Sequence, residues 1–255
     1  MKKKVKIEYS IISRGTEKYN NCGYMAITER VGKYRYIINS DHNVLENTIL
    51  DNSLKFIDDF KISNIVVSRF ELIASLCLTK RSINDDIIIF GLGNIGFATL
   101  LYLLKKGYKK ITIFSNKKEN IDMLEATFNV KLSLVNKISR QFNTYIDCTG
   151  SSKIIKMIFE NIGFMKDIFI LSTPRDSKYL IDPLEINRKN LSIFGGHEFN
   201  GIQNTERNKR FLKILKENEK YSYLLKNYIG FHNFSTDNYE KLLKKKSNYY
   251  DIFKY

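Results

Sequence analysis

Short β-prone runs alternate with longer amphipathic stretches between residues 86 and 194, and this pattern predicts alternating strands and helices. Because several of these runs are too apolar to face water on either side, we expect a parallel sheet covered by helices on both faces, an α/β architecture. The predicted strands are 86–90, 111–114, 131–135, 144–148, 167–171 and 191–194, and the clearest predicted helices are 97–106 and 151–162.

The first of these strands runs directly into a glycine-rich turn. A glycine at position 91 lets the chain turn off the strand, and one at 93 has no Cβ to block a phosphate. Gly96 lets the following helix lie close to the sheet, with the N–H groups of its first turn directed at an anion. The spacing predicts a Rossmann sheet that binds a dinucleotide, the alternative being a flavodoxin-like or unrelated α/β sheet. The candidate cofactor-binding residues here are Gly91, Gly93, Asn94, Ile95 and Gly96.

The end of the second strand bears on the choice of cofactor. A NAD site normally places an acidic residue there, about 20 residues beyond the glycines, to bind the ribose hydroxyls. This chain has Ser115 instead, followed by Asn116 and Lys117. A hydroxyl, an amide and a cation suit the 2′-phosphate of NADP, so these three residues are predicted to bind NADPH. The alternative is that lysines simply begin a helix in a lysine-rich protein.

Small and polar residues follow the fourth and fifth predicted strands. Ligands of open α/β sheets gather outside the carboxyl ends of the strands, so we predict that these residues line the nicotinamide half of the cofactor. Ordinary turn chemistry at strand ends is the alternative. The residues are Thr149, Gly150, Ser172, Thr173 and Pro174.

Composition narrows the possible partners. The net charge of +15 comes from lysines spread along the chain, which favours a solvated surface that attracts an anionic cofactor over a nucleic-acid surface. The three cysteines have no CxxC spacing and predict neither a disulfide framework nor a four-thiolate zinc site. No apolar stretch reaches the roughly 18 to 20 residues of a membrane span, and no signal peptide is recognisable, so we expect a cytoplasmic protein without membrane contact.

The N-terminal part has a different pattern. Runs at 5–12, 24–30 and 34–38 are short, β-prone and separated by glycines, which predicts a small antiparallel unit. Near the C-terminus, 204–227 and 239–243 have helical character, and 249–253 is a predicted final strand.

Several motifs resemble those of one family, the medium-chain dehydrogenase/reductase superfamily. The N-terminal stretches 12–17, 23–26 and 31–32 resemble its start, especially in zinc-free members with an SRGTE sequence. The later stretches 145–150, 171–174 and 191–195 are similar to its fourth, fifth and sixth Rossmann strands.

The resemblance implies a division into a shortened GroES-like β domain at 1–68, completed by about 228–255, and a Rossmann domain at 69–227. Where zinc-dependent relatives carry cysteine this chain has Ser13, and where they carry His-Glu it has Tyr24 and Met25. The resemblance therefore implies a zinc-independent, NADPH-dependent oxidoreductase, and a homodimer. Its expected substrate is a carbonyl or an activated double bond of a small or carrier-bound metabolite.

Without a metal, charge on a carbonyl acceptor needs a hydrogen-bond or proton donor. The candidate catalytic residues are Tyr24, His42, Ser13 and Thr16. His42 lies in a predicted polar turn, where a histidine can titrate near neutrality. The alternatives are a packing role for Tyr24 and plain solvation for His42.

Two roles are possible for Arg14 and Glu17. Arg14 can reach cofactor phosphates while Glu17 pairs with it, or the segment 13–17 caps a helix start. For the whole chain, the alternative function is a non-catalytic NADP(H)-binding protein or partner subunit derived from such an enzyme. A methyltransferase is disfavoured because it needs an acidic residue at the position of Ser115.

Overall fold

The fold is described by a computed structural model for residues 3–13, 17, 25–78, 86–115, 121–173, 181–197, 202–244 and 248–255. It divides the chain into two compact units. The first comprises Met1–Arg69 and Gly201–Tyr255, and the second comprises Phe70–Asn200.

Strands and helices take the following bounds in chain order. The strands are β1 Lys4–Ile11, β2 Met25–Thr28, β3 Tyr34–Ile38, β4 Glu46–Thr48, β5 Leu54–Ile57, β6 Ile87–Phe90, β7 Ile111–Phe114, β8 Ser133–Val135, β9 Thr144–Asp147, β10 Asp167–Ile170, β11 Ser192–Gly195, β12 Ile229–Asn233 and β13 Tyr250–Lys254. The helices are α1 Ile62–Leu78, α2 Asn94–Lys105, α3 Asp122–Phe128, α4 Ser152–Asn161, α5 Pro183–Lys189, α6 Asn204–Asn218 and α7 Thr236–Lys244. Short helical turns follow α6 at Glu219–Tyr221, Ser222–Leu225 and Lys226–Tyr228.

The second unit is built on a six-stranded sheet in the order β11-β10-β9-β6-β7-β8, with every pair parallel. This is the doubly wound Rossmann order, so the predicted α/β fold is confirmed. All residues of β6, β7 and β9 are buried, as strands covered on both faces require. The apolar core on one face includes Ile88, Tyr145, Ile155 and Ile168.

The first unit is built on a seven-stranded sheet in the order β12-β13-β1-β2-β3-β5, with β4 pairing β1. Its strand pairs are antiparallel except β12 with β13. The antiparallel unit predicted at the N-terminus is therefore present, and it gains β4 and β5, which were not predicted. The C-terminal strand β13 pairs with β1 in the register Tyr9 to Lys254, so the two ends of the chain form one sheet.

The helix α6 belongs to the first unit, which corrects the predicted domain boundary. The segment 201–227 was predicted to be part of the Rossmann domain, but the structure groups it with residues 1–69. The physical reason is its packing on β5: buried Phe211 contacts Phe56 with ring centroids 6.0 Å apart, and Asn208 Oδ1 accepts the N–H of Lys55 at 2.7 Å. The helical character predicted for 204–227 is confirmed: α6 ends at Asn218, and the short helical turns after it continue to Tyr228.

The helix α1 was not predicted, and its polar residues explain why. Ser63, Asn64, Ser68 and Glu71 are all buried, so this helix has no polar stripe to reveal a helical period. Glu71 forms a buried ion pair with Lys105 of α2, with 2.5 Å between the charged atoms. Within the described parts of the chain, no helix is both long and apolar enough to cross a membrane.

Candidate cofactor site

The carboxyl ends of four neighbouring strands form one row at an edge of the parallel sheet. Phe90 is in register with Phe114 on one side and with Asp147 on the other, and Asp147 is in register with Ile170. The residues that follow these strand ends are Gly91, Ser115, Cys148 and Leu171. The ladder continues into them, since Gly91 N donates to Phe114 O at 3.1 Å, and Cys148 N donates to Phe90 O at 3.0 Å. The glycine turn and the tip of β7 therefore lie side by side.

Two of the three glycines have no room for a side chain. Gly91 has φ +82°, in the left-handed region, and a Cβ there would lie 2.7 Å from Cγ2 of Thr149. A Cβ on Gly96 would lie 1.9 Å from the carbonyl oxygen of Gly91. The roles predicted for these residues are those the structure gives them: Gly91 makes the turn, and Gly96 brings α2 against it.

Gly93 faces open space instead. No atom of the described residues lies within 4 Å of where its Cβ would be, although it is the N-cap of α2. The first turn of a helix directs N–H groups without intrahelical acceptors outward, here from Asn94, Ile95 and Gly96. An open backbone surface at the positive end of a 12-residue helix fits a diphosphate.

A buried carboxylate shapes the neighbouring turn after β9. Asp147 is fully buried and accepts hydrogen bonds from Thr149 N at 2.9 Å, from Thr149 Oγ1 at 2.6 Å and from Gly150 N at 3.3 Å. Gly150 has φ +66°, which favours glycine. Since the hydroxyl hydrogen of Thr149 is used inside the turn, this geometry supports the turn-chemistry alternative for that side chain. Asp147 was missed as a supporting residue, although an aspartate at a strand end can accept the N–H two residues on, here that of Thr149, in an Asx-turn.

Ser115 follows β7 directly, as the cofactor prediction requires. Its N–H donates to Val135 O at 2.9 Å, and the side chain is half-buried. No carboxylate stands at this position to oppose a 2′-phosphate. Asn116 and Lys117 lie outside the described residues, so their predicted phosphate contacts stay predictions.

Two hydroxyl side chains follow the end of β10: Ser172 is buried and Thr173 is exposed. Ser172 is 8% exposed, and its Oγ is a buried polar atom with no hydrogen-bond partner among the described residues. Such an atom usually has a partner in a ligand or an ordered water. Thr173 is exposed, and Pro174 lies outside the described residues. Ser172 therefore fits the predicted role of contacting the cofactor.

Cys148 lies beneath the turn and is not a nucleophile. Burial raises the pKa of its thiol, the charge of Asp147 adds to the rise, and a 3.7 Å contact with the Thr99 hydroxyl opposes it. A thiol with a raised pKa, completely enclosed, has almost no thiolate at neutral pH. Cys148 follows β9 and lies next to Gly96 of α2, so its role is to pack between this strand and this helix.

The candidate catalytic residues belong to the first unit, and only two of them are described. Ser13 donates its backbone N–H to Glu17 Oε1 at 2.6 Å, and Glu17 N donates to Ser13 O at 2.9 Å. This closed arrangement supports the capping alternative for the segment 13–17. Tyr24, Thr16 and Arg14 lie outside the described residues, and their roles stay predictions.

His42 differs from its prediction. It lies in a turn, as predicted, but the alternative of a solvated ring is wrong, because His42 is only 4% exposed. Its Nδ1 lies 2.7 Å from Ser10 Oγ, and its Nε2 lies 2.9 Å from Glu17 Oε2. With both nitrogens engaged, the ring has no hydrogen-bonding position left for a substrate, so the geometry favours a positioning role over proton donation. Across the described ranges, no group of three or more His, Cys, Asp or Glu side chains is arranged to hold a metal ion.

The six-stranded parallel sheet with its glycine turn defines a Rossmann fold, accompanied by a mainly antiparallel sheet in the other unit. The sequence matches no protein-family model and no curated protein sequence. Solved structures with the same fold do exist. Staphylococcus aureus TarJ in complex with NADPH is 17% identical with a TM-score of 0.69, over 99% of this chain and 91% of that one.

Two further structural neighbours have cofactors that differ from each other, one NADP and the other NADH. The yhdH oxidoreductase from Salmonella enterica in complex with NADP is 10% identical with a TM-score of 0.70, over 99% of this chain and 90% of that one. A short chain alcohol dehydrogenase, RspB, from Escherichia coli complexed with NADH is 13% identical with a TM-score of 0.72, over 100% and 92%. At these identities the likeness establishes the fold alone.

Proposed function

We propose that this chain is an NADPH-dependent, zinc-independent oxidoreductase that transfers a hydride to a carbonyl or an activated double bond of a small or carrier-bound metabolite. The proposal depends on the glycine turn at the edge of the sheet. The backbone at Gly93 borders open space at the start of α2, and the close packing of Gly91 and Gly96 fixes its position. The absence of a carboxylate at Ser115 supports the phosphorylated cofactor.

The bound nicotinamide would supply the hydride, and the chain would bind, orient and shield it. The turn 91–96 would hold the diphosphate through backbone N–H groups, and Ser115 would face the adenosine ribose. The unpartnered hydroxyl of Ser172 would bind the nicotinamide end, and Tyr24 or Ser13 would offer a hydrogen bond to the reduced oxygen. We further propose that the protein is a homodimer, which light scattering would check by measuring its mass in solution. We also propose that it is cytoplasmic and has no nucleic-acid or membrane partner.

The first test of the proposed cofactor is to titrate the protein with NADPH and with NADH and to measure both affinities. NADPH should bind with micromolar or better affinity and NADH more weakly. Ser115→Asp should move this preference toward NADH, since the new charge opposes a 2′-phosphate. Ser133→Asp is the matched control because it adds the same charge at the exposed amino end of the neighbouring strand β8, where preference should not change. A chain that binds neither nucleotide contradicts the proposal.

Turnover is tested separately, by the absorbance of NADPH with aldehydes, ketones, enones and quinones. Oxidation of the cofactor by any of these classes supports the enzyme. Tight binding without oxidation by any class favours the alternative, a non-catalytic NADP(H)-binding protein or partner subunit. Either result leaves the cofactor assignment intact.

A further inference from the structure

Two hydrogen bonds hold the hydroxyl group of Thr149 inside the turn that follows β9. Thr149 Oγ1 donates to Asp147 Oδ1 at 2.6 Å and accepts the N–H of Ser151 at 3.1 Å. Threonine is branched at Cβ, so its χ1 angle has few low-energy values, and fixing the hydroxyl group also fixes the methyl group. The turn therefore determines where Cγ2 of Thr149 lies.

The methyl group of Thr149 lies against Gly91, the first residue of the glycine turn. A Cβ on Gly91 would be 2.7 Å from Thr149 Cγ2 and 3.7 Å from Thr149 Cβ. Carbon atoms in van der Waals contact are about 3.5 to 4.0 Å apart, so the first distance leaves no room for a side chain. The methyl group occupies the space that a side chain at position 91 would need.

Neighbouring elements also hold the backbone of Gly91. Its N–H donates to Phe114 O of β7 at 3.1 Å. On the side of α2, a Cβ on Gly96 would lie 1.9 Å from the carbonyl oxygen of Gly91, so the helix backbone lies directly against this oxygen. Strand β7 and helix α2 thus hold the amide and carbonyl groups of Gly91. The Thr149 methyl group keeps Gly91 from shifting toward the turn after β9.

The position of Gly91 matters for the part of the turn that is open. Gly93 is the N-cap of α2, and a Cβ there would meet no atom of the described residues within 4 Å. The proposed diphosphate would lie in this space, in front of the N–H groups of the first turn of α2. Hydrogen bonds weaken as their distances and angles depart from the best geometry, so a shift of Gly91 that moved this backbone would weaken binding.

We propose that Thr149 is a positioning residue for the cofactor, and that it acts through its methyl group on Gly91. The bonds to Asp147 and Ser151 orient that methyl group and leave the hydroxyl group no part in binding. This role differs from the predicted contact of Thr149 with the nicotinamide half. The inference rests on the proposed function, because it concerns the affinity of the site assigned to the diphosphate.

Thr149→Ser is the variant that separates the methyl group from the hydroxyl group. Serine keeps a hydroxyl for Asp147 and Ser151 but has no methyl group to lie against Gly91. Fluorescence titration should give a Kd for NADPH about three- to tenfold above that of the natural chain, the size expected for one lost methyl contact. An unchanged Kd overturns the proposal, because the serine hydroxyl can make every hydrogen bond that the threonine hydroxyl makes.

Thr144→Ser is the matched control. It removes the same methyl group from a completely buried threonine of the same strand, but at the amino end of β9. Its thermal midpoint can fall as far as that of Thr149→Ser or further, whereas its Kd for NADPH should equal that of the natural chain. An equal rise of Kd in both variants overturns the proposal, since general loosening of the sheet would then explain the effect.

A comparison of two nucleotides separates the role of Thr149 from that of Ser115. NADPH and NADH contain the same diphosphate and differ at the 2′ position of the ribose. Thr149→Ser should therefore weaken the binding of both by the same factor, whereas Ser115→Asp should change the ratio of the two affinities. A changed ratio in Thr149→Ser would contradict the proposal, because it would connect Thr149 to the 2′-phosphate.

Gly91→Ala tests the contact without any nucleotide. Its new methyl group would lie 2.7 Å from Thr149 Cγ2, so its thermal midpoint should fall below that of the natural chain. In the double variant Gly91→Ala/Thr149→Ser the crowding atom is gone, so the midpoint should rise again by a few degrees, on the order of 3 °C. It should stay below that of the natural chain, because alanine is strained at φ +82°.

The sign of the second substitution is the critical result of this series. Thr149→Ser should stabilise the protein when residue 91 is alanine, although it removes a contact when residue 91 is glycine. A double variant that is no more stable than Gly91→Ala overturns the proposed contact. If neither variant folds, the Kd of Thr149→Ser still decides.

The outcomes distinguish this inference from the proposed function. If the natural chain binds neither NADPH nor NADH, the proposed function fails, and the thermal midpoints still test the contact between Thr149 and Gly91. If the natural chain binds NADPH and Thr149→Ser binds it equally well, only this inference fails. Where the enzyme assay succeeds, Thr149→Ser should raise KM for NADPH and leave kcat at saturating NADPH unchanged, as expected when binding alone is weakened.

Discussion

The glycine turn of the second unit and a buried hydrogen-bonded group of the first unit are both precise arrangements, but they are assembled in different ways. We call the second group the His42 network; it comprises Ser10, Ser13, Glu17, His42 and Tyr255. The turn at 91–96 is made by backbone within six residues and is completed by one neighbouring turn at 147–150. The His42 network joins side chains that are far apart in sequence, with Ser10 and Tyr255 separated by 245 positions. The first arrangement depends on leaving space empty, whereas the second depends on satisfying every polar atom in a closed space.

The largest expected effect is on the glycine turn. Gly96→Ala would place a methyl group 1.9 Å from the carbonyl oxygen of Gly91, a rigid backbone atom. We expect a loss of about 3 kcal/mol or more of unfolding free energy, and loss of NADPH binding, because α2 must move off the turn. Denaturation and fluorescence titration measure the two effects.

The control for this variant is Gly93→Ala in the same turn. Its new Cβ meets no atom within 4 Å in the described parts of the chain, so stability should change by no more than about 0.5 kcal/mol. NADPH affinity should nevertheless fall by about tenfold, since the methyl group occupies the space assigned to phosphate. Equal stability losses at the two glycines would show that the turn is not held by close backbone packing.

The next effect concerns Asp147, the buried carboxylate that supports the turn. Asp147→Ala removes the acceptor for the N–H groups of Thr149 and Gly150 and leaves them enclosed. We expect a loss of about 2 to 4 kcal/mol, measured by urea denaturation. Thr149→Val removes one hydroxyl and leaves the carboxylate in place, so its loss should be about 1 kcal/mol. A larger loss for Thr149→Val than for Asp147→Ala would contradict this account.

A smaller effect is expected in the His42 network from Tyr255→Phe. This variant removes the hydroxyl that donates to His42 O and accepts from Ser10, and it keeps the packed ring. Unfolding free energy should fall by about 1 to 2 kcal/mol, with no change in NADPH affinity. Tyr34→Phe, in the same sheet but outside the network, is the control and should change stability by less than about 0.5 kcal/mol. Loss of nucleotide binding in Tyr255→Phe would contradict the independence of the two arrangements.

The contrast explains which parts were predictable from sequence. The roles of Gly91 and Gly96 follow from local spacing, because strand, turn and helix are consecutive there. The central strands β6, β7 and β9 of the parallel sheet were also predictable, since their complete burial makes them apolar. The role of Asp147 was also predictable, because an aspartate at a strand end that accepts the N–H two residues on is a local turn signal.

The remaining features have no local signal. α1 buries Ser63, Asn64 and Ser68, so its pattern lacks the exposed polar face that identifies a surface helix. α6 was predicted as a helix, but nothing in its own residues shows that Phe211 packs on Phe56 of the first unit. Burial of His42 depends on Tyr255, 213 positions away, so its own neighbours suggested a solvated turn instead.

The smallest effect is expected at Cys148, where only the reactivity of the thiol changes. This reactivity distinguishes damage to the glycine turn from damage to the His42 network. Burial and the charge of Asp147 raise the pKa of this thiol, so at about pH 8 it should resist iodoacetamide in the folded protein and react after denaturation. Peptide mass spectrometry of Cys148 measures this protection. A Cβ on Gly96 would lie 3.4 Å from the Cβ of Cys148, so Gly96→Ala should expose the thiol, whereas Tyr255→Phe, which alters the other unit, should leave it protected. Protection lost in both variants would mean that the two units unfold as one, and that the glycine turn depends on the His42 network after all.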